Sequence, residues 1–311
     1  MGTSLMRICC RTSRGGFILV TVMMISTIFL GAAVSYALYA RREMRRASEE
    51  EFLMASRGLA MIACQEVSQW IAGDKNEYDS RHELLYAPNF PLEMFYGDWL
   101  VSVKIDPQDD RISINDIFLP DGVTIKNEYA YPWQRIWRAL ASDETAVLLQ
   151  DYLDKDAIPR PGGREEYYFP NRRISDLSEL RRLPEMTSDM LYGRGADGAR
   201  ADTFFTVYGG GKININLAPV AVLAVLDPDL GADIAESIAE HRMENDIKSA
   251  KDLAKIPGFP QAVTARLNNV IGYKSGYFMV HLKVQLDMRE RNFDVMLTRG
   301  DGKCQIVYWR E

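Results

Sequence analysis

Five carboxylates crowd one short stretch: Asp151, Asp154 and Asp156, then, after a Pro-Arg-Pro-Gly-Gly loop, Glu165 and Glu166. Acids at steps of two and three, followed by a turn and two more acids, can converge on a hard cation. Calcium takes about six to eight oxygen ligands, which carboxylates and loop carbonyls supply together. The stretch is not an EF-hand, because the Asp-x-Asp-x-Asp-Gly spacing and its terminal Glu are absent. The same pattern also describes a solvated acidic face near a helix end, and both readings stand on the residues alone.

Other chemistry is sparse. The three histidines, His82, His241 and His281, lie in unrelated segments. Gly209-Gly-Gly-Lys212 resembles a phosphate loop only in part, since it lacks the earlier glycine and the Ser/Thr after lysine, so it reads as a turn. Residue spacing yields no nucleophile paired with a base, and an enzyme is not expected. Cys9 and Cys10 fall in the basic N-terminal segment. Cys64 and Cys304 are far apart, open either to pairing in an oxidising compartment or to staying as buried thiols.

Charge and hydropathy divide the chain. The 311 residues carry a net charge of −6, but seven arginines and one acid precede Ala47, leaving −12 for the remainder. So acidic a body repels phosphate backbones and suits calcium or a basic partner. From Phe17 to Ala40 there are 24 residues with no charge and no proline. At ~1.5 Å per residue they span roughly 36 Å, enough to cross a ~30 Å hydrocarbon core. The run is too long for a secretory signal and has no Ala-x-Ala-like site after it, so it reads as an anchor. Arginines flank it on both sides, three before and four after, so they do not decide its orientation.

The elements that position these residues follow from periodicity. Phe52, Ala55, Leu59, Ile62, Ala63, Val67 and Trp70 continue a helical stripe beyond the apolar run, and Gly73-Asp74 is the first stop. One helix over 17–72 is expected, the alternative being a plain tether and a separate helix. Trp99 to Asp106 and Arg111 to Phe118 alternate and read as a hairpin. Tyr277 to Met288 and Asn292 to Trp309 form a second β region, with a turn at Arg299-Gly-Asp-Gly302. Helical spacing fills the interval between them. The fold class is α+β: a long N-terminal helix on an antiparallel sheet, with a large helical insertion. Within that insertion, Lys212 to Phe259 has the grammar of paired short helices in helix-hairpin-helix (SAM-like) modules, with Asn216 as a helix cap. Its hairpin is Asp227-Pro-Asp229, and Lys212 to Ile271 holds six basic and eight acidic residues, a poor surface for DNA.

With these motifs quoted, the chain resembles the K-type minor pseudopilin of the bacterial type II secretion system. The basic leader ending in Gly16, with Phe17 opening the helix, is similar to a type IV pilin-like leader. DYLDKDAIPRPGGREEYY, the Ser-Glu-Leu-Arg segment at 178–181, Asn214-Ile-Asn216 and the closing YWRE extend the resemblance through the chain. It implies that a prepilin peptidase cuts between Gly16 and Phe17 and methylates the new amine. That would place the leader in the cytoplasm, the anchor in the inner membrane and the body in the periplasm. It also implies a fifth mature position at Thr21, where most pilin-like proteins carry glutamate, and the departure fits the K type. The implied segments are a leader at 1–16, the long helix at 17–72 (17–40 transmembrane), pilin-like sheet at 73–118 and 272–311, and the helical insertion at 119–271. The implied partners are I- and J-type minor pseudopilins, the major pseudopilin and the peptidase, with no nucleic acid. The implied role is to initiate and cap a pseudopilus at its tip. Calcium sites known in the family's helical domain make Asp154, Asp156, Glu165 and Glu166 the candidate ligands. The rival reading is a membrane-anchored periplasmic DNA receptor using the helix-hairpin-helix-like part.

Overall fold

The computed structural model describes residues 14–86, 92–193, 199–300 and 302–311. Cys9, Cys10 and most of the expected leader lie outside the described residues, as does Asp301 of the expected turn. The chain divides into two compact units, Met1–Gly58 and Leu59–Glu311.

Helix α1 covers Arg14–Gly73, 60 residues. In the first unit its side chains from Phe17 to Tyr39 are exposed, Phe17 at 78% and Phe29 at 71%. Such a surface suits lipid, and the helix is long and apolar enough to cross a membrane once. Both threonines in this stretch bond their own helix: Thr21 Oγ1 donates to the Phe17 carbonyl at 2.9 Å, and Thr27 Oγ1 to that of Met24 at 2.8 Å.

The second unit contains a five-stranded antiparallel sheet in the order β1-β2-β7-β8-β9. These strands are β1 (Leu92–Tyr96), β2 (Trp99–Pro107), β7 (Tyr277–Leu286), β8 (Arg289–Arg299) and β9 (Cys304–Arg310). The remaining strands are two-residue pieces: β3 (Ile112–Ser113) pairs with β4 (Phe205–Thr206), and β5 (Ile213–Asn214) with β6 (Ile271–Gly272). Ala60, Ala63, Cys64, Val67 and Ile71 of α1 pack on the inward-facing residues of the sheet, including Val101, Val103, Val280, Leu282, Phe293 and Val295. The steps of three and four on the helix and of two on the strands produce this seam. It differs from the expected stripe: Ala63 and Val67 face inward, but Ile62 and Trp70 point out, 47% and 41% exposed. Ala60, Ala63 and Cys64, all small, lie on the sheet-facing side beside Val67 and Ile71.

The expected hairpin of Trp99–Asp106 with Arg111–Phe118 is corrected. Strand β2 pairs with β1 on one side and β7 on the other. Ile112, Ile114 and Ile117 instead bury their side chains in a second core, that of the helices. A 3-10 turn, Ile114–Asp116, follows β3 at once. The first sheet segment therefore ends at Pro107 rather than at 118, and the helical insertion starts there.

The insertion comprises α2 (Asn127–Ala139), α3 (Asp143–Leu153), α4 (Ser188–Tyr192), α5 (Ala201–Phe204), α6 (Val220–Leu223), α7 (Ala232–Glu244), α8 (Ala250–Leu253) and α9 (Gln261–Leu267). Trp133, Trp137 and Phe205 form its aromatic centre, with ring centroids 5.5–5.9 Å apart. Asn216 does not cap a helix, as its position had implied; its side chain exchanges two hydrogen bonds with the backbone of Ile247, at 2.8 and 2.9 Å. It thereby clamps the paired helices shut.

Candidate functional site

The acidic stretch begins where α3 ends. Asp154 is the C-cap of that helix, with extended backbone, so its carboxylate sits at the end of the helix dipole that disfavours negative charge. Asp151 and Asp154 are both fully buried. Arg160 folds back over them, Nη1 donating to Asp151 Oδ1 at 2.9 Å and to Asp154 Oδ2. Gly163 permits the return: a Cβ there would lie 2.9 Å from Asp151 Cγ. The loop then brings back Glu165, and one ligand oxygen from each of Asp154, Asp156 and Glu165 falls within 4.8 Å of the others.

Asn171 completes this arrangement. Its backbone is left-handed, with φ 43°, and its Nδ2 donates to the Asp156 carbonyl at 2.6 Å and to Glu165 Oε2 at 3.3 Å. Within this group, three buried oxygens lack any hydrogen-bond donor: Asp154 Oδ1, Glu165 Oε1 and Asn171 Oδ1. Buried acceptors of this kind are costly unless a donor or a cation meets them. Burial pushes the Asp154 carboxyl up to about 6, although Arg160 pulls it down, and burial also raises Glu165. Hard oxygen donors, excess negative charge and orphaned acceptors together fit a calcium-type ion.

Of the four candidate ligands, Asp154, Asp156 and Glu165 come together and Glu166 does not, its carboxylate turning to Arg164 Nε at 3.3 Å. Sequence reasoning missed Asn171; the available signal was an Asn in a Pro-Asn turn just beyond the acidic loop, where left-handed backbone is tolerated. A second acidic group among the described residues, Asp74, Asp79 and Glu83, is neutralised differently: Arg299 bonds both Asp74 and Asp79.

The other sequence candidates are placed as follows. Gly16 and Phe17 lie in the first turns of α1. The glycine turn at 209–211 does receive an anion, but it is the chain's own: Asp109 Oδ1 accepts from the Gly210 amide, and Oδ2 from Gly276 and Tyr277 at 2.7 and 2.9 Å. Cys64 and Cys304 are free thiols, and burial pushes Cys64 up to about 11. In the helix-hairpin-helix-like part, Arg266 holds Asp227 through two 2.7 Å bonds and Asp229 through one of 2.5 Å. The hairpin that would approach a phosphate is thus lined with carboxylates that already hold a guanidinium.

Residues 213–273, spanning α6 to α9, match the family model of the type II secretion system protein K. The fold is similar to that of a chain in the crystal structure of the GspK-GspI-GspJ complex from the enterotoxigenic Escherichia coli type 2 secretion system. The TM-score is 0.60 at 14% identity, covering 87% of this chain and 98% of that one. The signature lies within the helical insertion, and the likeness to the solved chain is one of fold. No curated protein sequence matches it. The α+β architecture, with a long N-terminal helix, an antiparallel sheet and added helices, is pilin-like as expected.

Proposed function

We propose that this K-type chain works at the tip of a short periplasmic pseudopilus, helping to initiate its assembly and capping it. The observation that carries the reading is Thr21, whose hydroxyl closes on the Phe17 carbonyl within its own helix. The resemblance puts a glutamate here in most pilin-like subunits, to neutralise the amine of the subunit ahead. A tip subunit has none ahead, and an unpaired carboxylate in lipid would only cost free energy. The bulk of the helical insertion supports a cap, since it would obstruct a further subunit above. The role is mechanical and non-enzymatic.

The same reading covers processing and partners. A prepilin peptidase would cut between Gly16 and Phe17 and methylate Phe17, leaving the anchor in the inner membrane and the body in the periplasm. I- and J-type minor pseudopilins are the proposed neighbours, by analogy with the complex just described, and the major pseudopilin would follow below. Ile62 and Trp70, exposed on α1 and eight residues apart, offer these neighbours apolar side chains on one side of the helix. Calcium is proposed at Asp154, Asp156 and Glu165, with Asn171 as a further oxygen. There it would neutralise the acidic loop and pin it to the end of α3.

The decisive measurement is the mass of the mature N-terminus in cells that carry the secretion system. An N-methylated Phe17 is expected, and any other start overturns the pseudopilin reading. The DNA-receptor alternative predicts retention on DNA at low salt that is lost as salt rises. The carboxylate-lined hairpin gives the reason to expect none.

A further inference from the structure

His82 lies in the segment between α1 and β1, which sews the helical insertion to the sheet. Around it, the Asp79 amide donates to the Tyr273 carbonyl at 2.8 Å, and Asn214 Nδ2 to the Asp79 carbonyl at 3.1 Å. His82 makes the outermost stitch. Its Nδ1 stands 2.8 Å from Asp246 Oδ1 and its Nε2 2.9 Å from the Met243 carbonyl. Both partners are acceptors only. A neutral imidazole has one N–H and can satisfy one of them; an imidazolium satisfies both.

The surroundings favour the charged form. Met243 lies in the last turn of α7, whose free carbonyls attract a cation. Asp246, on the loop that follows, is a carboxylate less exposed than the ring it faces. Several charged groups close by along the chain are already engaged. Lys248 lies over the Tyr78 ring at 4.4 Å. Glu83 accepts from the Ser80 amide and Asn76 Nδ2, Asp79 holds Arg299, and Arg81 reaches toward the Leu217 carbonyl.

We propose that His82 is a pH-sensitive clasp: protonated, it fastens the end of α7 to the segment after α1, and deprotonated, it releases one of its two bonds. In agreement, hydrogen bonding to Asp246 and to the Met243 carbonyl holds the ring above its ordinary value. The sign follows from linkage. A histidine raised on folding stabilises fully below its unfolded value, about 6.5, and the contribution fades as pH rises through the folded value.

The test uses the full chain in detergent with 13C-labelled histidine. Only three side chains report, and His82→Gln identifies the relevant resonance by its loss. It should titrate above about 6.5, and Asp246→Asn should bring that midpoint down. Melting temperatures supply the second readout: wild type should exceed His82→Gln at acid pH, and the gap should close as pH rises through the measured midpoint. A midpoint at or below the ordinary value, one unmoved by Asp246→Asn, or a gap constant with pH overturns the clasp.

Discussion

At Arg299 a single side chain bonds three others from the segment that follows α1. Its two terminal nitrogens bond both oxygens of fully buried Asp79 at 3.1 Å, and Nη2 also bonds Asp74 Oδ2 at 3.1 Å and donates to Tyr86 Oη at 2.6 Å. Removing the cation leaves a buried carboxylate without its counter-charge. Arg299→Ala should therefore lower stability by ~3–5 kcal/mol. Arg299→Lys should recover only part of the loss, because an ammonium cannot reproduce the fork. Urea denaturation of the three proteins checks the order. None of this was legible in sequence, where Asp74 read as part of a stop and Arg299 as the start of a turn. Pairings between residues so far apart are set by the fold, whereas the acidic loop was legible because its members are close together along the chain. Glu166 stands apart from the other three for a related reason: adjacent carboxylates diverge, and spacing alone does not say which one faces inward.

At the scale of elements, the loop from α3 to Asn171 depends on a close approach. A Cβ at Gly163 would strike the Asp151 carboxylate, which Arg160 already occupies. Gly163→Ala should cost about 1–3 kcal/mol by overpacking and weaken binding at the proposed calcium site, read by thermal melts with and without the ion. The strands of the C-terminal half were legible because they are long, ten residues in β7 and eleven in β8, and burial alternates along most of β7. The same signal misled at Arg111–Phe118, where Ile112 and Ile114 alternate as they would in a strand. They alternate into the helical core instead, and only the tertiary partner distinguishes the cases. The face of α1 slipped for a different reason. Ala60 and Cys64 carry little apolar weight beside Ile62 and Trp70, yet small size is what a helix lying close against a sheet requires.

For the whole molecule, a bound ion adds to the stability of the fold that holds it. Calcium at 100 times its dissociation constant would contribute ~2.7 kcal/mol, and a chelator would remove it. Chelation of the full chain should lower the melting temperature, and added calcium should restore it. Magnesium should restore less, since it favours a tighter octahedral shell with retained water. Asp154→Asn should abolish the calcium response. If the melting temperature ignores both chelator and calcium, the cluster holds no ion of this kind.

Strand β2 leaves the sheet at Pro107, and the residue paired with it is Phe278. Every residue of the helical insertion lies between those two neighbours. A ribosome delivers the chain from its N-terminus, so β1 and β2 emerge well before any partner for β2's open edge exists. A lone two-stranded ribbon is marginal in water, and an unpaired edge invites wrong partners. The sheet can close only after the insertion has emerged, and an insertion that has already folded brings its two ends together for the final pairing. Timing is therefore a property of this topology: the helices can mature early, and the sheet, with the helix that rests on it, must be completed last.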